Sequence, residues 1–201
     1  ALTSGDENVA VGHLALSDVT TGGYNTAIGA SALENATTSS NNVAVGNSAM
    51  KACTTGTENV AIGREALDAL VDVNGCTAVG YRALTANTAA GNTGIGKGAL
   101  LVNTTGSENV AVGALALDAN TTGASNVAIG WEAMTANTTA SSNTAVGRKA
   151  MHDNQSGANL VAVGHTAMHN NSTGAGNIAI GAEALFTNTT GSQNTIVGYA
   201  A

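Results

Sequence analysis

One glycine recurs at positions 12, 29, 46, 63, 80, 96, 113, 130, 147, 164, 181 and 198, always 17 residues apart except for the 16 between Gly80 and Gly96. A period this short and regular marks a solenoid, in which each coil packs only on its neighbours. Aligned on that glycine, the coil reads Asn-[Val/Thr]-Ala-[Val/Ile]-Gly-x-x-Ala-[Leu/Met]-x-x-Asn-Thr-Thr-x-x-x. Helical repeats need about 33–47 residues, and a unit holding Gly, Asn-Thr-Thr and β-branched residues has poor propensity for two helices. The pattern therefore predicts an all-β parallel solenoid of about twelve coils, one continuous array over residues 1–201. At roughly 4.8 Å per coil, the rod would be about 55 Å long.

Each slot of the coil carries a physical expectation. The residue before the glycine is Val or Ile in every coil, from Val11 to Val197, and the one before that is Ala except at Gly94 and Ile196. Short β-branched stretches of this kind read as strands. The constant aliphatic is expected to face the interior, and the Ala to mark a face of close approach to another coil wall or another chain. Three residues after the glycine Ala is constant, from Ala15 to Ala201, and the next slot is always Leu or Met, holding all four Met residues, 50, 134, 151 and 168. Leu and Met have similar volumes and flexible ends, so their exchange marks an interior slot. The Asn columns are expected to serve turns and to stack as ladders on a polar rim. One such column holds Val19, Ala36, Cys53 and Leu70 before turning to Asn from Asn87 onward. The shortening of the 16-residue coil falls between Thr88 and Asn92, inside a turn, where deletions are best tolerated.

Composition sets the chemistry aside from several classes. The chain has 26 Gly, no Pro, one Phe and one Trp, so its interior must be built from small and medium aliphatics. Its net charge is −7, and only six Lys and Arg are present, whereas nucleic-acid binding needs clustered cations. No run approaches the roughly 18 apolar residues that would span a bilayer, so neither nucleic acid nor membrane is expected as a partner. Cys53 and Cys76 fall in different slots and are expected to be unpaired, buried thiols.

The segments Asn8-Val-Ala-Val-Gly12, Asn25-Thr-Ala-Ile-Gly29, Asn59-Val-Ala-Ile-Gly63 and Asn177-Ile-Ala-Ile-Gly181 resemble the head repeats of trimeric autotransporter adhesins. With Ala99-Leu100 and Asn103-Thr-Thr-Gly106, the repeat is also similar to those of phage tail fibres. The resemblance implies a left-handed parallel β-roll, a homotrimer, and a place outside the cell, on a cell surface or on a virion. It implies a rigid fibre or head segment that carries an adhesive surface towards a host glycan or protein. A phage tail-fibre shaft and a self-assembling extracellular filament are the neighbouring possibilities. Ala1 and Ala201 stand at slots that leave only two positions between one copy and the next, which predicts head-to-tail stacking or a longer array.

No catalytic constellation emerges, and no enzyme activity or cofactor is expected. Val11-Gly-His-Leu-Ala15-Leu satisfies one hexad of the type found in β-helical acyltransferases, which use a catalytic His. The following hexad would need aliphatics where Ser17, Glu34, Lys51, Asp68 and Thr85 stand. His152 and His169 lie one coil apart, so their side chains should stack about 5 Å apart; they are read as exposed variable residues, not as metal ligands. No repeated Asp motif of the calcium-binding kind occurs. An ice-binding face wants Thr-x-Thr on one side of a strand, whereas Thr20-Thr21 and Thr104-Thr105 are adjacent and point apart. The slots after the glycine hold the large exposed candidates for a binding surface: Tyr81, Arg82, Trp131, Arg148, Lys149, His165 and Tyr199.

Overall fold

A computed structural model describes residues 5–201, so Ala1, on which the stacking expectation depends, lies outside the described residues. The chain is an all-β parallel solenoid with no helix among the described residues, hence none long and apolar enough to cross a membrane. Each coil contributes one three-residue strand, from β1 (Val9–Val11) and β2 (Thr26–Ile28) to β11 (Ile178–Ile180) and β12 (Thr195–Val197). The twelve strands form one sheet in sequence order, every neighbour parallel. Pairing follows the repeat without slippage: Ala44 pairs with Ala61 and Ala111 with Ala128. The 16-residue coil keeps register too, Thr77 facing Thr93 and Thr93 facing Val110, because its missing residue is absorbed in the turn before Asn92.

Which side of the strand faces inward differs from the sequence expectation. From β2 to β11 the middle residue is buried, whereas Ile28, Ile62, Ile95, Ile129 and Ile180 are about 40 % exposed. The constant Val/Ile column therefore points outward, and the Ala column points into the core. The reason is space. A Cβ placed on Gly94, the Ala-column residue of its coil, would lie 3.1 Å from Leu84 Cγ and 3.2 Å from the Ala99 carbonyl oxygen. The strand thus sits directly against the Leu/Met and second Ala columns, and only a methyl fits between them.

The turn after each strand is built from left-handed backbone. The second and fourth residues after the glycine both have φ near +50 to +60°, as at Ser48 and Met50, Arg82 and Leu84, or Glu132 and Met134. Their amides alternate in direction: Ser48 donates to the Ala30 carbonyl of the preceding coil, and Met50 to the Ala66 carbonyl of the following one. That geometry adds a second reason for Leu and Met in the buried slot, because a β-branched side chain is strongly disfavoured at positive φ. Gly46, at φ +137°, closes the strand where a Cβ would fall 2.6 Å from the Gly63 carbonyl carbon.

The Asn columns are also inside, not on a rim. Asn25, Asn42, Asn59, Asn109, Asn126 and Asn143 of the coil-opening column are fully buried, as are Asn87, Asn103, Asn120, Asn137, Asn154 and Asn171 of the second column. Burial of an amide is costly unless its donors and acceptor are satisfied. Here they are: Asn120 Nδ2 donates to Asn103 Oδ1 at 2.8 Å and to the Gly123 carbonyl at 2.9 Å, while its own Oδ1 accepts from Asn137 Nδ2 at 2.8 Å. In the coil-opening column, Asn42 Nδ2 donates to the Gly56 carbonyl and Asn42 Oδ1 accepts the Asn59 amide. The core thus joins a larger aliphatic part to hydrogen-bonded amides, and the ladders expected from the Asn repeats form within it. Cys53 and Cys76 are free and buried, as their differing slots imply.

Candidate functional site

Two surfaces of this rod are chemically distinctive. The first is the outer face of the sheet. Because Ala faces in, the first and third residues of every strand face out, and all are Val, Ile or Thr. They form two straight columns along the whole rod. Isolated exposed aliphatics are ordinary, but a contiguous apolar stripe marks a surface that meets something.

The second is a ridge along the corner that follows the strand. Trp131, Arg148 and His165 occupy the first slot after the glycine in successive coils, and Lys149 the second. The solenoid stacks them in one line. The Arg148 guanidinium lies 4.8 Å from the Trp131 ring centre and Lys149 Nζ lies 5.1 Å from it, both within cation–π range. Arg148 Nη1 is 3.0 Å from His165 Nε2. Four of the seven residues singled out in the sequence therefore form one patch. Tyr81 and Arg82 form a separate pair, with Arg64 5.8 Å from the Tyr81 ring and Arg82 Nε 3.3 Å from Glu65 Oε2. They flank a small cleft of about 110 Å³ closed by Lys97, Gly98, Leu101 and Leu115. Tyr199, on the last coil and 77 % exposed, joins neither group.

The ridge continues into the His152 and His169 pair and into Glu132, Asp153 and Phe186. Lys149 Nζ lies 3.3 Å from Glu132 Oε2, and the same oxygen is 3.8 Å from His152 Nε2. His152 and His169 stack at 5.0 Å with an interplanar angle of 8°, as their one-coil separation implies. Phe186, one coil further, covers the other face of His169 at 5.1 Å. These imidazoles are not exposed corners. Their side chains retain only 23 % and 18 % exposure, a correction with a simple cause: each ring is roofed by the next residue in its own column. Asp153 joins them, with Oδ1 2.5 Å from His152 Nδ1 and Oδ2 3.7 Å from His169 Nδ1. The slot alignment foretold the stacking. It could not show that Asp153, a neighbour in sequence, turns back onto both rings.

Burial tunes the groups around the ridge. Asp118 stands in the His152 column two coils earlier; burial pushes its carboxyl above the ordinary range, and Glu132 adds to the effect. Its Oδ1 is buried without a hydrogen-bond partner. Asp68 is raised likewise, by burial first and then by Glu65. Away from the ridge, burial pushes the Cys53 thiol up to about 11.

The Thr-Thr turns present less hydroxyl than their number suggests. Thr20, Thr37, Thr104 and Thr121 each donate to a carbonyl of the next coil at 3.0–3.1 Å. The His13 segment belongs to a coil with a single three-residue strand, not to one with three strand faces. Comparison with known protein families, with curated proteins and with solved structures finds no match to this chain.

Proposed function

We propose that this chain is a non-catalytic structural rod, a left-handed β-roll that assembles laterally with further copies of itself into a homotrimeric extracellular fibre or adhesive head segment. The observation that carries this reading is the outward Val/Ile/Thr face. Twelve strands present the same two β-branched columns without interruption. A partner that covers the face must repeat at the strand spacing of roughly 4.8 Å, and a second copy of the same chain does so along its full length. Burying such a stripe stabilises association at about 25 cal/mol per Å² of apolar area, less the costs of binding. The likeness of the Asn-Val-Ala-Ile-Gly strand to trimeric adhesin heads supports three copies and a cell-surface or virion location.

In this arrangement the Trp131, Arg148, Lys149 and His165 patch lies at a corner of the coil rather than on the sheet face, so it stays available for a host glycan or protein. A second reading has one observation in its favour. The sheet face is regular and rich in methyl groups, and strands such as Thr26–Ile28 and Thr144–Val146 carry Thr on it, which is a surface suited to ordering ice.

The test is the mass of the intact chain in solution. A species three times the 19.5 kDa chain mass is expected in sedimentation equilibrium. Replacing Ile62 and Ile129 with Lys should yield a folded monomer, because both side chains already meet solvent in the single chain. A wild-type monomer at micromolar concentration would overturn the reading. If that monomer also depressed the freezing point, the ice-binding alternative would stand in its place.

A further inference from the structure

We propose that His152, Asp153 and His169 form a binding site for a divalent first-row transition ion, which clamps the ninth and tenth coils together. The three residues offer donor atoms that all lie within 4.8 Å of one another. Two imidazoles and one carboxylate are the donor set that zinc, nickel, cobalt and copper favour, and that calcium and magnesium do not.

The geometry needs little change. Asp153 already places one oxygen 2.5 Å from His152 Nδ1 and the other 3.7 Å from His169 Nδ1. An ion bonded to both imidazoles at about 2.0–2.1 Å takes the place of the proton held between His152 Nδ1 and Asp153 Oδ1. The two rings tilt toward each other by rotation about their side-chain bonds, and the displaced proton is carried on the other ring nitrogen, Nε2, which faces Glu132. Water completes the coordination on the exposed side, where Asp153 is 47 % exposed.

The surroundings hold the ligands in place. Phe186 stacks on the outer face of His169, and Asn170 Oδ1, 2.8 Å from its Nδ1 in the metal-free chain, gives up that hydrogen bond when the ion binds there. Glu132 Oε2 is 3.8 Å from His152 Nε2, so that nitrogen has a carboxylate beside it of the kind that orients metal-bound imidazoles. The backbone fixes the spacing, since the Asp153 amide donates to the His169 carbonyl at 2.9 Å. The sequence interval of 17 between the two histidines therefore becomes a fixed cross-coil pair.

Isothermal titration of the full chain with Ni²⁺, and separately with Zn²⁺, tests the site. One ion per chain is expected, with at least a tenfold loss of affinity in His152→Ala and in His169→Ala. Asp153→Asn should weaken binding less than either. His13→Ala and His165→Ala should leave it unchanged. The variants' far-ultraviolet circular dichroism without metal should match that of the wild-type rod, which separates lost ligation from lost folding. Saturable binding that survives in the His152→Ala/His169→Ala double variant would overturn the proposal, as would no saturable binding by the folded wild-type chain. Neither result bears on self-association, since the site lies within one chain and away from the sheet face.

Discussion

Gly113 lies directly against Gly130 of the next coil: a Cβ on Gly113 would sit 2.4 Å from the Gly130 carbonyl oxygen, at a backbone φ of +135°. Two constraints coincide there, a conformation that side chains rarely adopt and an approach that no side chain fits. Gly113→Ala should therefore cost about 2–4 kcal/mol, combining backbone strain with displacement of a hydrogen-bonded coil. Gly75 is the internal comparison. At φ +69° it has nothing within 4 Å of an added Cβ, and Asn41 and Asn159 hold the same slot elsewhere. Gly75→Asn should change stability by less than about 0.5 kcal/mol. Urea unfolding of both variants checks the contrast.

The buried Leu/Met column should distinguish branching from hydrophobicity. Met134 has φ +55° and is fully buried. Met134→Leu is expected to cost less than about 1.5 kcal/mol. Met134→Ile, of similar volume, should cost about 1–2 kcal/mol more, because left-handed backbone crowds a β-branched side chain. Equal melting temperatures for the two variants would refute the backbone explanation.

The Asn ladder should behave as a connected unit. Asn120→Ala removes an acceptor from Asn137 and a donor from both Asn103 and the Gly123 carbonyl. Leaving these buried groups unpaired should cost about 2–4 kcal/mol. The early coils show the alternative, an aliphatic run through Val19, Ala36, Cys53 and Leu70 in the same column. Replacing neighbouring ladder residues together by aliphatics should therefore cost less per residue than replacing one, a non-additivity measurable by a double-mutant cycle.

Cys53 predicts a pH dependence. Burial raises its thiol from 9.0 to about 11, so the folded chain holds the proton over a range in which the unfolded chain loses it. The stabilisation this represents is full below pH 9 and is lost as pH rises through about 11. Against a Cys53→Ala reference, wild-type stability should fall by about 2–3 kcal/mol across that window. The folded chain should also resist alkylation at pH 8, with both thiols reacting after denaturation.

Much of this molecule is legible in the repeat, but the phase of the strand is not. In Val60-Ala61-Ile62 the outer residues are more hydrophobic than the middle one, so hydrophobicity alone directs Ile62 inward. The structure turns it out because Ala61 must fit against the Leu/Met column across a thin core, where even the Cβ missing from Gly94 would meet Leu84. The ridge is legible in part for a related reason. Column alignment places His152 beside His169 and Trp131 beside Arg148, because neighbours one period apart must stack. The rotation that brings Asp153 onto both rings depends on side-chain angles that spacing does not encode.

The 17-residue glycine period by itself determined a one-strand coil, parallel pairing in sequence order and the stacking of like residues into columns, because a regular repeat with one close-approach glycine per turn admits no other register. The exchange of Leu and Met also marked that column as core, whereas tertiary packing alone decided that the Ala and Asn columns lie inside and the Val/Ile column outside. A core this narrow accepts methyl groups and mutually bonded amides opposite its Leu and Met residues. It leaves the larger β-branched side chains outside, where they make the face on which further copies are proposed to assemble.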